Sequence, residues 1–453
     1  MKKRVLVINP WIYDFAAYDY WLKPLGLLYL AAFLRENGLE VTFLDCLDPA
    51  FWGDTFSRPK RRPGGHGHFI KETVSPPPFL SLAERPYHRY GVTPEKIRQK
   101  LSTFPAFDLI LAGTTMTYWY PGLWEIVRIS HDLFPATPVA IGGIYVTLCP
   151  DHARKSGADY VLAGPGERQV SFLVEDILGL PLLYEPDLHS PDTLPYPAYD
   201  LLLEPDELPI LTSRGCPFRC PYCASHLLSP SFVRRAPEKV VDEIEWWLQS
   251  KGVRNFAIYD DAFLMRAEDF AVPFLREIIR RRLDIWLHCP NGLHIREITS
   301  LTARLMYRAQ VTTLCLGLET NDRKNQVNWG GKVFNEEFEA AVCYLKEAGY
   351  EGRNIGVYIL CGLPEQEPEE VAATIEYVKA WGARPILAEY SPIPGTDLWS
   401  KAKEVSPFPL QEEPLFQNNT LLPCWRDGER DGRVSYRYLK SLSKKNVEII
   451  SKI

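Results

Sequence analysis

The feature that most constrains the fold of this 453-residue chain is a repeated alternation of short β-branched segments with amphipathic helical segments. The alternation occurs in two series, which a proline-rich and acidic linker at 186–207 separates. Strands that alternate with helices favour parallel sheets with the helices packed on their faces. The sequence therefore predicts an α/β protein with two domains, followed by a C-terminal extension at 401–453.

The first series predicts a doubly wound, Rossmann-like domain over residues 1–185. A segment at 50–95, rich in Pro, Gly, His and aromatic residues, interrupts it and is too long for an ordinary connection, so we interpret it as an insertion. Ligands bind such sheets at the carboxyl ends of the strands. Most of these ends carry a turn former or a glycine. The predicted strands are 4–10, 39–45, 108–113, 138–143 and 159–164.

The second series predicts a partial (β/α)6 barrel over residues 208–400. Six strand patterns alternate with helical patterns, two units short of a full eight-unit barrel, and function in such barrels lies at the carboxyl ends of the strands. The predicted strands are 209–213, 255–260, 284–289, 312–319, 355–362 and 384–390.

Composition narrows the classes of function. The chain has 51 Lys and Arg against 57 Asp and Glu, a net charge of −6, which predicts no nucleic-acid partner. The apolar runs near the start are too short for a membrane span or a signal peptide, so we expect a cytoplasmic protein. In a reducing compartment the ten cysteines are expected to be metal ligands or core thiols rather than disulfides.

Three of these cysteines have ligand spacing. Cys216, Cys220 and Cys223 follow the first barrel strand in SRGCPFRCPYCAS, separated by three and two residues. Three thiolates can hold three irons of a [4Fe–4S] cluster and leave the fourth iron open for a substrate. The alternatives are a zinc loop with a fourth ligand elsewhere, such as His226, and three buried thiols.

The position and spacing of these cysteines resemble those of the radical S-adenosylmethionine (SAM) enzymes. The resemblance covers roughly residues 205–400. It implies that the open iron binds SAM, that an external electron donor reduces the cluster, and that cleavage of SAM yields a radical that abstracts a substrate hydrogen. The cofactor supplies this chemistry, and the protein positions it.

The same resemblance implies contacts to SAM at the carboxyl ends of the barrel strands. For either aspartate a helix N-cap is an equal alternative, and for the glutamate the alternative is a buried ion pair. Asn291 is the weaker candidate. The residues concerned are Tyr222, Asp260, Asp261, Asn291, Glu319 and Gly362.

The N-terminal half resembles the cobalamin-binding domain that precedes the barrel in one subgroup of these enzymes. An Asp-x-His-x-x-Gly motif for a cobalt ligand is missing from the sequence. Three aromatic residues, Tyr118, Trp119 and Tyr120, pack either on the corrin or in the domain interface, and interface packing is slightly favoured. The resemblance implies cobalamin contacts at Thr114, Thr115, Thr117, Gly142, Gly143 and Tyr145.

These observations predict a cobalamin-dependent radical SAM methyltransferase that methylates an unactivated carbon of a protein side chain or a small molecule. One alternative keeps both cofactors but catalyses cyclisation, rearrangement or oxidation. In another, the first domain no longer binds cobalamin. From a different class, the chain is a non-catalytic iron–sulfur protein or a zinc-stabilised binding protein.

Overall fold

The computed structural model describes residues 2–48, 66–80, 85–185, 187–203, 205–425 and 434–444. The chain forms two compact units. The first comprises Met1–Asp206 with Leu410–Leu421, and the second comprises Glu207–Pro409 with Leu422–Ile453. The C-terminal segment, which the sequence predicts as one extension, is therefore divided between the two units.

The first unit is built on a parallel sheet. Its elements in chain order are β1 Arg4–Asn9, β2 Ile12–Asp14, β3 Tyr18–Asp19, α1 Leu25–Glu36, β4 Glu40–Asp45, β5 Gly67–His68, β6 Lys71–Val74, β7 Tyr87–Tyr90, α2 Pro94–Leu101, β8 Leu109–Thr114, α3 Tyr120–Leu133, β9 Val139–Gly143, α4 Ile144–Leu148, α5 Pro150–Ala153, β10 Tyr160–Val161 and α6 Gly166–Phe172.

The main sheet has the order β10-β9-β8-β1-β4, and all its neighbouring strands run parallel. The chain leaves β1 toward β4 on one side and later returns to β8 on the other, so the topological switch point lies between β1 and β8. This is the doubly wound arrangement that the alternation predicts, and its ligands bind at that switch point.

Burial explains the sequence of these strands. The four central residues of β1, Val5 to Ile8, are fully buried, and every residue of β8 is buried as well. Strands covered by helices on both faces need apolar side chains on both faces, which is why they are continuous apolar runs rather than alternating patterns.

The insertion forms small antiparallel pairings in its described part. Strand β7 pairs with β2 and β6, and β5 pairs with β3. The predicted insertion at 50–95 thus contains short strands that pair with the segment directly after β1. Its residues 50–65 and 81–84 lie outside the described residues.

The second unit is a six-stranded parallel sheet in sequential order, with helices between the strands. Its elements in chain order are β11 Glu207–Ile210, β12 Ser213–Arg214, α7 Ser225–Leu228, β13 Val233–Arg234, α8 Pro237–Lys251, β14 Asn255–Ile258, α9 Ala271–Arg281, β15 Trp286–Leu293, α10 Ser300–Arg308, β16 Val311–Glu319, α11 Arg323–Asn328, α12 Asn335–Ala348, β17 Ile355–Cys361, α13 Pro368–Ala380, β18 Arg384–Glu389, α14 Trp399–Val405 and α15 Tyr436–Lys444.

The sheet order is β11-β14-β15-β16-β17-β18, and each strand pairs in parallel with the next. The prediction of a partial (β/α)6 barrel is confirmed. Helix α8 shows why the sequence pattern predicted the helices of this unit. It begins at Pro237, a residue suited to the first helical position, and it buries Val240, Val241 and Ile244 at helical spacing.

Short helices and turns follow the last strand. Helix α15 lies within the predicted C-terminal extension, whose residues 426–433 and 445–453 lie outside the described residues. Within the described ranges, no helix has the length and apolar character that crossing a membrane requires.

Candidate functional site

The three spaced cysteines lie on a loop that follows β11 and the short strand β12. Gly215, directly before Cys216, has φ +77°, and a Cβ there would lie 2.6 Å from the carbonyl oxygen of Ser231. Only glycine fits this close approach without strain. The loop therefore turns sharply at the carboxyl end of the first barrel strand, where barrel enzymes place their functional residues.

The thiols are close enough to influence one another. Burial, followed by the charges of Asp261, Cys220 and Cys223, raises the pKa of Cys216 to about 11. The Tyr222 side chain hydrogen-bonds the Cys220 thiol, which acts against the raised pKa of Cys220. Among the described residues, no three His, Cys, Asp or Glu side chains converge as ligands of a single metal ion.

Glu319 ends β16 beside this loop. It has φ +69°, an uncommon conformation for a residue other than glycine, and a register shift interrupts the strand pairing between Gly317 and Glu319. The ammonium of Lys332 lies 2.7 Å from the Glu319 Oε1 atom. The two side chains are 15% and 14% exposed for Lys332 and Glu319, so the ion pair that the sequence left as an alternative is present. Strained backbone of this kind is concentrated at functional sites.

Lys332 extends its influence to the cysteine loop. Burial disfavours its charged form, but Glu319, Cys220 and Cys216 together hold its pKa above the ordinary value. The sequence analysis did not select Lys332. No local pattern distinguished it, because only the fold brings the GGK turn after α11 to the cysteine loop, where a Cβ on Gly330 would lie 3.8 Å from the Cys220 Cα atom.

The two candidate aspartates have different surroundings. Asp260 is 3% exposed and accepts hydrogen bonds from the Thr212 amide at 2.6 Å and the Ser213 hydroxyl at 2.5 Å, and also from the Thr212 hydroxyl. These hydrogen bonds connect the residue after β14 to the segment directly before the cysteine loop. Burial raises its pKa to about 6. Asp261 is exposed, accepts from the Ser225 hydroxyl at 2.6 Å and lies near Cys216.

The weaker candidate, Asn291, is oriented toward the backbone. Its side-chain amide donates to the carbonyl oxygens of Tyr259 and Asp260, each at 3.1 Å. The structure thus gives Asp260 and Asn291 positioning contacts inside the barrel, and the direct cofactor contacts that the resemblance implied stay predictions.

Gly362 lies in the turn after β17. Its amide donates to the Gln366 side-chain oxygen at 2.9 Å, and Gln366 in turn donates to the Leu360 carbonyl oxygen at 3.0 Å. The Gln366 side chain therefore closes the turn, and a Cβ on Gly362 would lie 3.5 Å from the Leu422 side chain.

His294 is a second residue that the sequence analysis missed. It is 4% exposed, its ring stacks on Phe218 of the cysteine loop with centroids 5.2 Å apart, and its Nε2 atom lies 3.9 Å from the Cys216 sulfur. Burial lowers its pKa to about 3. It follows Asn291 by three residues, and nothing in the sequence distinguished it from the other histidines.

In the first unit a cavity of about 280 Å3 lies at the carboxyl ends of β1, β8 and β9, at the switch point of the sheet. Thr114, Thr115, Gly142 and Gly143 of the predicted cobalamin contacts line it. The rest of its wall is mainly apolar. The leucines in this wall include Leu22, Leu25, Leu27, Leu30, Leu111 and Leu162.

Glycine at the strand ends keeps this cavity open. Gly143 has φ +95°, and a Cβ there would lie 2.6 Å from the Thr114 carbonyl oxygen. Gly142 has space, because a Cβ on it would first meet the Leu162 carbonyl oxygen at 3.6 Å. A ligand can therefore approach the backbone of β9 directly.

Two predicted contacts, Thr117 and Tyr145, are outside the residues that line the cavity. Tyr145 is fully buried; its hydroxyl accepts from the Trp124 indole at 3.2 Å and lies 2.7 Å from His152 Nδ1. Trp119 donates to the buried Asp14 at 2.7 Å. The hydrogen bonds of Trp119 and Tyr145 thus lie within the unit, and Trp119 also borders the cavity. The domain-interface role that the sequence favoured for Tyr118, Trp119 and Tyr120 stays a prediction.

Comparisons with known proteins agree with this arrangement. The family model of the Radical SAM superfamily matches residues 210–378, which span β11 to most of α13. An uncharacterised methyltransferase of Pyrococcus horikoshii is 26% identical over 330 residues, covering 65% of this chain and 70% of that protein. The cytidylyl-2-hydroxyethylphosphonate methyltransferase of Streptomyces wedmorensis is 21% identical, covering 87% of this chain and 81% of its own length.

Among solved structures, the radical SAM methyltransferase TsrM from Kitasatospora setae superimposes with a TM-score of 0.66 at 19% identity, covering 89% of this chain and 76% of that one. At this identity the match shows a shared fold. Residues 210–378 therefore match the Radical SAM superfamily, the chain has methyltransferase relatives, and it shares the fold of TsrM, which was also solved with cobalamin and a [4Fe–4S] cluster bound.

Proposed function

We propose that this protein is a cobalamin-dependent radical SAM methyltransferase that methylates an unactivated carbon of a small molecule or a protein side chain. The observation that carries the proposal is the cysteine loop, held at the carboxyl end of the first barrel strand beside a mostly buried Glu319–Lys332 pair. Relatives named as methyltransferases support methyl transfer as the outcome.

The spacing of the three thiols along one loop fits a [4Fe–4S] cluster. Such a cluster takes one thiolate per iron, so Cys216, Cys220 and Cys223 need to surround a cubane rather than converge on one point. Tyr222 supports the loop through its contact with Cys220, and the neighbouring positive charge of Lys332 favours the thiolate form.

The barrel also offers groups for SAM. Glu319 presents a carboxylate suited to an ammonium group through a charge-assisted bond. Asp261 lies near Cys216, and the turn at Gly362 lies at the end of another strand, β17. Asp260 and Asn291 act indirectly by fixing the ends of β14 and the preceding strand.

The cavity of the first unit fits a portion of a large planar cofactor such as cobalamin. Its leucines supply apolar contact, and Gly142 and Gly143 leave backbone at the strand ends open to the ligand. When bound, the cluster with SAM supplies radical chemistry, and cobalamin supplies a transferable methyl group. This chain's residues bind these groups, orient them and exclude water from them.

The proposal is tested with the full chain, reconstituted anaerobically with iron, sulfide and hydroxocobalamin. We expect about four irons and one corrinoid per chain, formation of 5′-deoxyadenosine on reduction in the presence of SAM, and transfer of labelled methyl groups to a component of a cell extract depleted of its own enzymes. Zinc in place of iron, together with no 5′-deoxyadenosine, would overturn it.

A matched pair of variants sharpens the test. Cys223→Ser removes one ligand and is expected to abolish 5′-deoxyadenosine formation. Cys343→Ser changes an exposed cysteine on α12 and is expected to behave as the wild type. Corrinoid uptake with 5′-deoxyadenosine but no labelled product in any extract fraction would favour cyclisation, rearrangement or oxidation.

A further inference from the structure

We propose that His294 and Lys332 set the reduction potential of the cluster from outside its ligand set. His294 does so by an N–H···S hydrogen bond to Cys216, and Lys332 by its positive charge beside Cys220. The inference rests on the proposed function in one respect only, the assignment of a [4Fe–4S] cluster to the three cysteines.

The position of His294 defines the hydrogen bond. The stacked ring of Phe218, inclined by 17°, holds the imidazole so that its Nε2 atom lies 3.9 Å from the Cys216 sulfur, within the range of sulfur hydrogen bonds. His294 has no other ring stacking among the described contacts. The ring orientation is therefore fixed before any cluster is present.

The protonation of the ring follows from its surroundings. An imidazole carries its N–H at Nδ1, at Nε2 or at both. The buried Nδ1 atom lacks a hydrogen-bond partner among the described residues. A proton on Nδ1 would leave an unsatisfied buried donor, whereas a proton on Nε2 can be donated to the sulfur. The tautomer with the proton on Nε2 is therefore favoured.

Lys332 acts on the other side of the loop. Its ammonium bonds Glu319, and its charge acts on both Cys220 and Cys216. It reaches this position because Gly317 leaves the space open: a Cβ there would lie 2.8 Å from the Lys332 Nζ atom. Since the ammonium is mostly buried, salt screens its effect on the thiols only weakly.

Both groups stabilise the reduced state more than the oxidised state. Reduction adds one electron and hence one negative charge to the cluster and its thiolates, with no bond made or broken. A hydrogen bond to a ligating sulfur and a nearby cation favour that added charge, and hydrogen bonds and net charge are among the factors that set cluster potentials. Removing either group should lower the midpoint potential.

The experiment measures the midpoint potential of the reconstituted full chain by electron paramagnetic resonance during titration with dithionite and mediators. For Lys332→Met we expect the ratio of reduced to oxidised cluster to fall about tenfold at a given potential, which equals about 59 mV for a one-electron couple. Lys332→Arg should stay near the wild-type value. Lys324→Met removes an exposed lysine from α11 and should leave the midpoint unchanged.

His294→Leu provides an independent measurement. We expect the ratio of reduced to oxidised cluster at a given potential to fall about threefold in this variant. His294→Gln, which retains an N–H donor, should show a smaller fall. Iron content is measured for every variant. If Lys332→Met does not assemble the cluster, the midpoint potentials of His294→Leu and His294→Gln test the inference. Fully loaded variants with wild-type midpoints overturn the inference and leave the proposed function standing, whereas a wild-type chain that takes up no iron overturns both.

Discussion

The cavity of the first unit and the cysteine loop of the second each lie at the carboxyl ends of parallel strands, but they consist of different types of residue. The cavity is lined by glycines, which have no side chain, at the strand ends and by leucines around them. The cysteine loop instead carries and contacts reactive and charged side chains. Beside its thiols, an ammonium pairs with a carboxylate, and an imidazole contacts one of the thiols.

The difference shows what each site can recognise. An apolar cavity with open backbone selects a ligand by shape and apolar area. A cluster of charged and thiol groups selects by charge and ligand geometry and shifts pKa values strongly. The two regions should therefore respond to different substitutions, and each of the following predictions tests that separation.

The largest effect is expected where the cavity is filled. Gly142→Val adds a side chain that the backbone accepts, since a Cβ there has its first neighbour at 3.6 Å. We expect corrinoid affinity to fall at least about tenfold and methyl transfer to fall to background, with iron content and 5′-deoxyadenosine formation retained. Ala136→Val, in the exposed turn before β9, is the control. Equal loss of 5′-deoxyadenosine in Gly142→Val would show that the regions are not separable.

The next effect concerns stability and pH in the barrel. The pKa of Asp260 is raised by burial from 3.8 to about 6, so the folded state binds this proton more tightly than the unfolded state does. Its stabilisation is full below about pH 4 and is lost as the pH rises toward about 6.

We therefore expect the free energy of unfolding of the wild type, measured relative to Asp260→Asn by urea titration, to decrease by about 2 kcal/mol between pH 4 and pH 7. Asp261→Asn is the matched control, because Asp261 is exposed, and it should show the wild-type dependence. A difference between wild type and Asp260→Asn that is constant with pH would contradict the buried, protonated carboxyl.

A smaller effect is expected from Glu319→Gln, which removes the charge but keeps the size of the side chain. A hydrogen bond to a charged group is worth about 1.5–3 kcal/mol, so SAM affinity, measured by equilibrium dialysis of the reconstituted chain, should fall roughly tenfold or more. Corrinoid uptake should stay unchanged. Unchanged SAM affinity would mean that Glu319 serves only to hold Lys332.

The smallest effect is expected from Tyr145→Phe in the first unit. The variant loses the hydrogen bonds of the hydroxyl to Trp124 and His152, which should cost about 1 kcal/mol of stability. Corrinoid affinity should remain at the wild-type level, because Tyr145 is fully buried away from the cavity lining. A tenfold loss of affinity would instead assign the hydroxyl to the cofactor site.

The same contrast explains how much of the site could be predicted. The cysteine loop could be predicted because the ligands of one cluster are close in sequence when they share a short loop. The spacing of Cys216, Cys220 and Cys223 therefore indicates a cluster site. Lys332 and His294 approach the loop from turns that are distant in sequence. Only the folded sheet brings these turns together, and single lysines and histidines carry no local pattern.

Local sequence by itself determined the two series of strands and helices, because apolar periodicity and turn residues act over a few neighbouring positions. It also placed the candidate contacts at strand ends. Tertiary structure decided which of these candidates face a site. Asp260 is held by three donors and Asn291 by two backbone carbonyls, whereas Glu319 meets Lys332 beside the thiols. Side-chain direction depends on packing between distant strands, which periodicity within one strand does not encode.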